Sequence, residues 1–508
     1  MNYLVKTSIF LMAVLLFASL MWATNLAALA QQSFSNVEWT QPQRIPSPDD
    51  SSSWFPDLAV DSHDNVHVVW NETKAEENRD LERVFYSMWN GKQWTPFNDI
   101  VAPQVDIIRN SIAADGNDIL YFVYGWLNLF YKTAPVEKAL SAAAWSTPHR
   151  INTRTGSYAS DVAIDGSRIY VLYDDAGALD ENSPCLSGCA DIFFRTSLDL
   201  GNTWLEPVPL FPTSGGSARP QISVDTAGVI HASWDEGWDR LSGAMSPERF
   251  GVYMNSKDGG KTWSEPTIVT HPAQSNFQTT AGSDGRGGVL LVWRTDTLDY
   301  PGIYYMWSTD YGQTWSPPKT IPGIAVRKGD TPFDTYSLGA DSAGNIHLLA
   351  AGQSPDKPDY PPQLYHVVWN GQSWSVPFAL YDDVGAPEYP HLVIHNGNQI
   401  HATWFTRFTD TNMPHQIWYA RGKINAPQML PTVTPTVTPT PVPPTRTPTP
   451  TVTPKPTLPP QIVQAAVPGD AVDTIYTEND DLWLLFKSLL PAMALIVVVV
   501  VVIRIFRS

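Results

Sequence analysis

Along most of the chain, short apolar runs rich in β-branched and aromatic residues alternate with clusters of Gly, Asn, Asp and Pro. That pattern predicts strands joined by tight turns rather than helices. The runs recur in a fixed order. A tryptophan opens a segment at Trp39, Trp94, Trp145, Trp204, Trp263, Trp315 and Trp374. A run ending mostly in Asp follows each: Phe55 to Asp61, Asn110 to Asp115, Ser160 to Asp165, Pro220 to Asp225, Thr279 to Asp284, Tyr336 to Asp341 and Pro390 to His395. A Gly/Asn turn leads to a second strand, such as Val66-His-Val-Val-Trp70 or Ile230-His-Ala-Ser-Trp234. After a variable loop comes a third, such as Ile303-Tyr-Tyr-Met306, and a hairpin then delivers the next tryptophan. Two of these hairpins carry Trp89-Asn90-Gly91 and Trp369-Asn370-Gly371, where Asn-Gly predicts a two-residue turn.

Three other hairpins share the plan S-x-D-x-G-x-T-W: Ser197 to Trp204 with Asp199 and Gly201, Ser256 to Trp263 with Asp258 and Gly260, and Ser308 to Trp315 with Asp310 and Gly312. Ser and Asp are suited to bond their own turn backbone, Gly to supply a positive φ, and Trp to cap the packed edge. The octapeptide resembles the Asp-box of the sialidase superfamily and its bacterial neuraminidase repeats. Spaced at a supersecondary period, three copies make an array.

Four strands per repeat, arranged radially, predict an all-β protein built as a seven-bladed β-propeller. The resemblance to sialidases implies six blades, which is the alternative. The seventh repeat lacks its fourth strand, and Val37 to Pro42 is the segment expected to supply it, so that the two ends of the head close the ring. Strand direction puts the Asp-boxes below, and above them the loops between second and third strands and those entering each first strand.

Composition adds a head-on-stalk organisation. Residues 1–30 read as a secretory signal, with Lys6, an apolar core and Ala28-Leu29-Ala30. The propeller occupies 31–424. A Pro/Thr-rich stalk occupies 425–460, and its stretch from Pro431 to Pro460 predicts a semi-rigid spacer on the order of 90 Å. A polar linker at 461–481 precedes a membrane helix at 482–503 that includes six consecutive valines. Arg504 and Arg507 in the tail, 504–508, place that tail in the cytoplasm and the head outside. The formal charge of −18 excludes nucleic acid as a partner. The only two cysteines, Cys185 and Cys189, predict a local disulfide in an oxidising compartment and no metal pair. His67, His231, His347 and His401 recur at one repeat position, which points to packing, and neither metal nor cofactor is expected.

Upper-face positions gather aromatic, acidic and basic side chains suited to a sugar: Trp54, Arg109, Tyr158, Asp174, Arg219, Asp235, Arg294 and Arg407. The opposing expectation is that these charges pair with one another. The resemblance implies an arginine clamp on a sialate carboxylate, a Tyr nucleophile backed by Glu and an Asp acid/base; the weak candidates are Tyr389, Glu388 and Asp334. Arg44-Ile45-Pro46 reads like the family's Arg-Ile-Pro, but the repeats put Arg44 on an outer strand. The first expectation for function is a non-enzymatic surface propeller binding a glycan or a surface protein. An anchored exo-sialidase or related glycoside hydrolase is the second, and a structural surface-layer component the third.

Overall fold

The computed structural model describes residues 37–429 apart from 77–78, 105–108, 155, 177–188, 214, 239–244, 273–274, 296, 298, 328–334, 359 and 409–412. The expected leader, most of the stalk, the linker, the membrane helix, the tail, Cys185 and Asp334 lie outside the described residues. Among those described, no helix is long and apolar enough to cross a membrane.

The strands form seven antiparallel sheets, each built from consecutive segments except where the ring closes. Blades 1 to 7 begin at Ser52–Val60, Arg109–Ala114, Ser160–Asp165, Ser217–Val224, Phe277–Ser283, Ser337–Ala340 and Ala386–His395. In blade 7 the third strand, Gln416–Ile424, pairs with the chain's own beginning: Val37 faces Ile424, Trp39 faces Gly422 and Gln43 faces Tyr419. The ring is therefore seven-bladed and stitched at its ends, and Arg44 sits on that outer edge beside Asp49, away from the channel. Both ends of the described head lie below. Val37 pairs at the lower end of the third strand, and Met429 donates its N–H to Asn396 O at 2.8 Å, on the lower turn of blade 7.

Second strands are buried on both faces, and this is why they read as unbroken apolar runs. Val66, Val68, Val69 and Trp70 are all fully enclosed. The core lies between blades rather than within one: Val69, Val84 and Tyr86 of blade 1 share a cluster with Ile112, Leu120 and Phe122 of blade 2.

Each period-marking tryptophan stands edge-on to a third-strand ring of the preceding blade. The pairs are Trp145 on Tyr86, Trp204 on Tyr131, Trp263 on Phe194, Trp315 on Tyr253, Trp374 on Tyr305, Trp39 on His366 and Trp94 on Tyr419. Centroid separations run from 5.1 to 6.2 Å with interplanar angles of 73° to 89°. Such pairs contribute about 0.5–1.5 kcal/mol each beyond area burial.

The Asp-box residues behave as their types predict. Ser197, Ser256 and Ser308 Oγ each accept the Gly N–H four residues on at 2.8 Å. The glycines take φ of 85°, 86° and 78°. Asp258 and Asp310 accept from the Thr hydroxyl and N–H four residues on, which holds both carboxyls down to about 2. The Asn-Gly hairpins depart from the two-residue form. Only the glycines are left-handed, and Asn90 Oδ1 accepts from both Lys92 and Gln93 N–H, so the Asn side chain takes over the task that Ser and Asp share elsewhere. The recurring histidines are internal ties: Asp61, His67 and Tyr86 form a buried chain, as do Asp225, His231 and Tyr253.

Trp374, buried against Tyr305, is the sharpest test of the peripheral contacts. Trp374→Ala should cost about 3–5 kcal/mol in chemical denaturation, with Trp374→Phe losing much less. A loss below about 1 kcal/mol for the alanine variant would contradict the role given to this ring.

Candidate functional site

The first strands line a central channel, and their side chains stack in two layers across it. The inner layer is polar: Asp57, Ser111, Asp161, Gln221, Thr280, Ser337 and His391 occupy equivalent register positions. Asp57, Ser111, Asp161, Ser337 and His391 each reach the next blade, while Gln221 reaches Tyr336 O of blade 6 at 3.2 Å. Asp57 accepts Ile112 N–H at 2.8 Å, Ser111 accepts Val162 N–H at 3.1 Å, Asp161 accepts Ile222 N–H at 2.8 Å and Ser337 accepts Leu392 N–H at 3.0 Å. Thr280 donates to Gln221. His391 closes the circle on Asp57 at 3.1 Å.

Two residues earlier in each blade lies the upper layer: Phe55, Arg109, Ala159, Arg219, Gln278, Thr335 and Tyr389, all buried. Four of them, Phe55, Arg219, Gln278 and Tyr389, are left-handed with φ of 48° to 57°, and each sits in a register shift of its strand. Positive φ in bulky residues is strained and persists only where the surroundings enforce it. Here it accompanies the register shift of each strand.

Glu388 and Tyr389 do diverge, as alternation predicts for neighbours, although both lie within the strand. Glu388 is buried and accepts from Arg327 and Arg407, each at 2.7 Å. Tyr389 packs edge-on to Phe55, and the Arg109 guanidinium lies over Tyr389, Phe55 and Tyr158 at 5.1, 4.8 and 5.3 Å. Burial pushes the Tyr389 hydroxyl up to about 12, although Arg109 pulls the other way.

The four candidate arginines separate. Arg219 pairs with Asp235 at 3.2 Å. Arg407 joins Arg327 on Glu388, and Arg294 lies over Phe277. Arg109 and Arg219 share a cavity with Tyr389, Thr335, Asp161 and His391, and its volume of about 20 Å³ admits a water molecule but no sugar ring. Trp54 is covered by His415, ring to ring at 4.1 Å.

The carboxylates at the mouth serve as latches. Asp174 accepts Tyr158 and Ala159 N–H, and Asp235 accepts Gln278 and Thr279 N–H, so Asp235 ties blade 4 to blade 5. Two blades repeat one latch: Glu72 takes Ser51, Ser53 and Trp70, while Glu236 takes Thr213, Ser217 and Trp234. Burial pushes Glu236 up to about 7 despite its three donors. These roles escape sequence reading because the donors belong to separate loops; the recurring Trp-x-Glu at Trp70 and Trp234 is the one signal present in the chain. Cys189 is disulfide-bonded, while its expected partner Cys185 lies outside the described residues.

Among the described residues one group brings potential metal ligands together, Asp61, His63 and Asp118, with ligand atoms within 4.8 Å. Its carboxylates already accept from Asn65 and Ser62, so its arrangement is that of a turn.

Two groups give the axial ring its pH dependence, Asp161, which burial and the neighbouring Asp57 push up to about 6, and His391. Burial alone would lower the pKa of His391, but the Asp57 carboxylate, backed by Asp161, holds it above the ordinary value against the repulsion of Arg109. A raised folded value stabilises the fold fully below about pH 6.5, and that contribution is lost as pH rises through the folded pKa. His391→Gln should therefore lower the unfolding free energy more at about pH 5.5 than at about pH 8.5; equal losses in urea titrations at the two pH values would exclude an ionic seam.

No protein-family model and no curated protein matches the chain. Among solved structures it is similar to a protein of unknown function from Dyadobacter fermentans DSM 18053, at 15% identity over 77% of this chain and 100% of that one, with a TM-score of 0.47. The Hadza microbial sialidase Hz136 is similar at 15% identity over 74% and 67%, with a TM-score of 0.43. The NanB sialidase from Streptococcus pneumoniae is similar at 14% over 76% and 70%, with a TM-score of 0.41. Sialidases are thus among its structural neighbours, while the blade count rests on this chain's own strand pairing.

Proposed function

We propose that the propeller is a non-catalytic binding head, carried outside the cell on the Pro/Thr stalk and C-terminal anchor, that engages a glycan or a surface protein with its upper face. The observation carrying this reading is that, among the described residues, most charged groups of the channel mouth are already committed. Arg219 is taken by Asp235, Arg407 and Arg327 share Glu388, and Asp174 and Asp235 cap backbone N–H groups. A carboxylate clamp needs arginines that converge on one vacant volume, and the cavity shared by Arg109 and Arg219 is too small for a sugar.

The hydrolase reading draws on one fact, that Arg109, Arg219 and Tyr389 line a common cavity. The purified chain should release no fluorophore from a fluorogenic sialoside above background. Turnover that disappears in Arg109→Ala or Arg219→Ala would overturn the binding reading in favour of catalysis.

A further inference from the structure

Three consecutive blades repeat one feature on the upper rim. The loop between second and third strands contains Asp299-Tyr300-Pro301 in blade 5, Asp359-Tyr360-Pro361 in blade 6 and Asn412-Met413-Pro414 in blade 7. The central side chain is exposed in each: Tyr300 by 51%, Tyr360 by 48% and Met413 by 40%. Large side chains held open to water at equivalent positions stand out, since every other described tyrosine is buried or half-buried.

The loops are braced. Tyr300 N–H closes a turn on Thr297 O at 3.2 Å, and Tyr360 N–H closes one on Lys357 O at 3.1 Å. In blades 5 and 6 a residue at the end of the second strand or just past it supports the loop from below: Thr295 Oγ1 accepts Thr297 N–H at 3.4 Å, and the Gln353 amide donates to Pro358 O and Tyr360 O at 3.2 and 3.3 Å. In blade 7 the residue after Pro414, His415, is bonded to Ser53 N–H of blade 1 through its carbonyl. Following prolines restrict the backbone further. Presentation of this kind lowers the ordering cost of binding.

We infer that this arc, Tyr300, Tyr360 and Met413, is a docking rim for a neutral polysaccharide, an inference that rests on the non-catalytic reading above. Three arguments select the partner. Tyrosine faces stack on the C–H face of sugar rings, and Lys357 covers one side of Tyr360 at 5.4 Å. Equivalent contacts on adjacent blades suit a ligand that itself repeats, with weak contacts adding through effective concentration. The flanking turns are acidic, with Asp299, Asp356, Asp382 and Asp383 exposed on a chain of net charge −18, which disfavours sialylated or uronate polymers. A protein partner would ask for a contiguous apolar centre, whereas these side chains are separated by charged turns.

Affinity electrophoresis of the full-length chain, in gels containing β-glucan or galactomannan and in parallel gels containing polysialic acid or polygalacturonate, tests the inference. At least one neutral polymer should retard the chain and neither anionic polymer should. Combining Tyr300→Ala with Tyr360→Ala should weaken retardation by about tenfold or more with an unchanged melting midpoint, and Tyr→Phe at both sites should retain it. Absence of retardation by every neutral polymer, retardation unaffected by the alanine pair, or stronger retardation by the anionic polymers overturns the inference. Sialoside turnover by the same preparation would instead overturn the non-catalytic reading, and the two failures are thereby distinguished.

Discussion

The edge-to-face contact between a tryptophan and the third-strand ring of the blade before it is the interaction on which the architecture depends. It occurs at all seven junctions, including the one where Trp39 meets His366. A blade is a small twisted sheet with little core of its own, so its stability lies in what it shares with neighbours. The tryptophans fasten the rim, and the polar side chains from Asp57 to His391 fasten the axis. Between these belts the second strands are buried on both faces.

That economy constrains function. A carboxylate enclosed in a protein must find donors or take up a proton, and here the donors are backbone N–H groups for Asp174 and Asp235 and Ser, Thr and Trp side chains for Glu72 and Glu236. Glu72, Asp174, Asp235 and Glu236 are consumed in holding loops to blades, and Glu388 in neutralising two arginines. The channel mouth, which by residue type resembles a sugar site, is closed by Arg109 among Phe55, Tyr158 and Tyr389. Exposed large side chains lie further out, at Tyr300, Tyr360 and Met413 on the rim loops.

Much of the scaffold was legible because its determinants are local. The Asp-box uses residues within one octapeptide, the tryptophans mark the period directly, and the missing fourth strand of the last repeat pointed to Val37 to Pro42. The site was less legible because its determinants are not local. The left-handed turns at Phe55, Arg219, Gln278 and Tyr389 shift the register of a strand that otherwise reads as simple alternation. The partners of Asp235 and Asp161 come from the next blade, at sequence separations of 43 and 61. The recurring Asp-Tyr-Pro at 299–301 and 359–361 was visible in the chain, yet only exposure distinguishes it from the many aromatics that are buried.

Closure of the ring by pairing the chain's beginning with the last blade is the claim on which the blade count stands, and a cross-link tests it most directly. Glu38 lies opposite Lys423 in the strand register. Glu38→Cys combined with Lys423→Cys should form a disulfide under mild oxidation, detected as a linked peptide by mass spectrometry, while Glu38→Cys with Gln399→Cys, one strand further in, should not. Failure of the first pair to link, or equal linking of both pairs, would contradict a seven-bladed ring closed by its own ends.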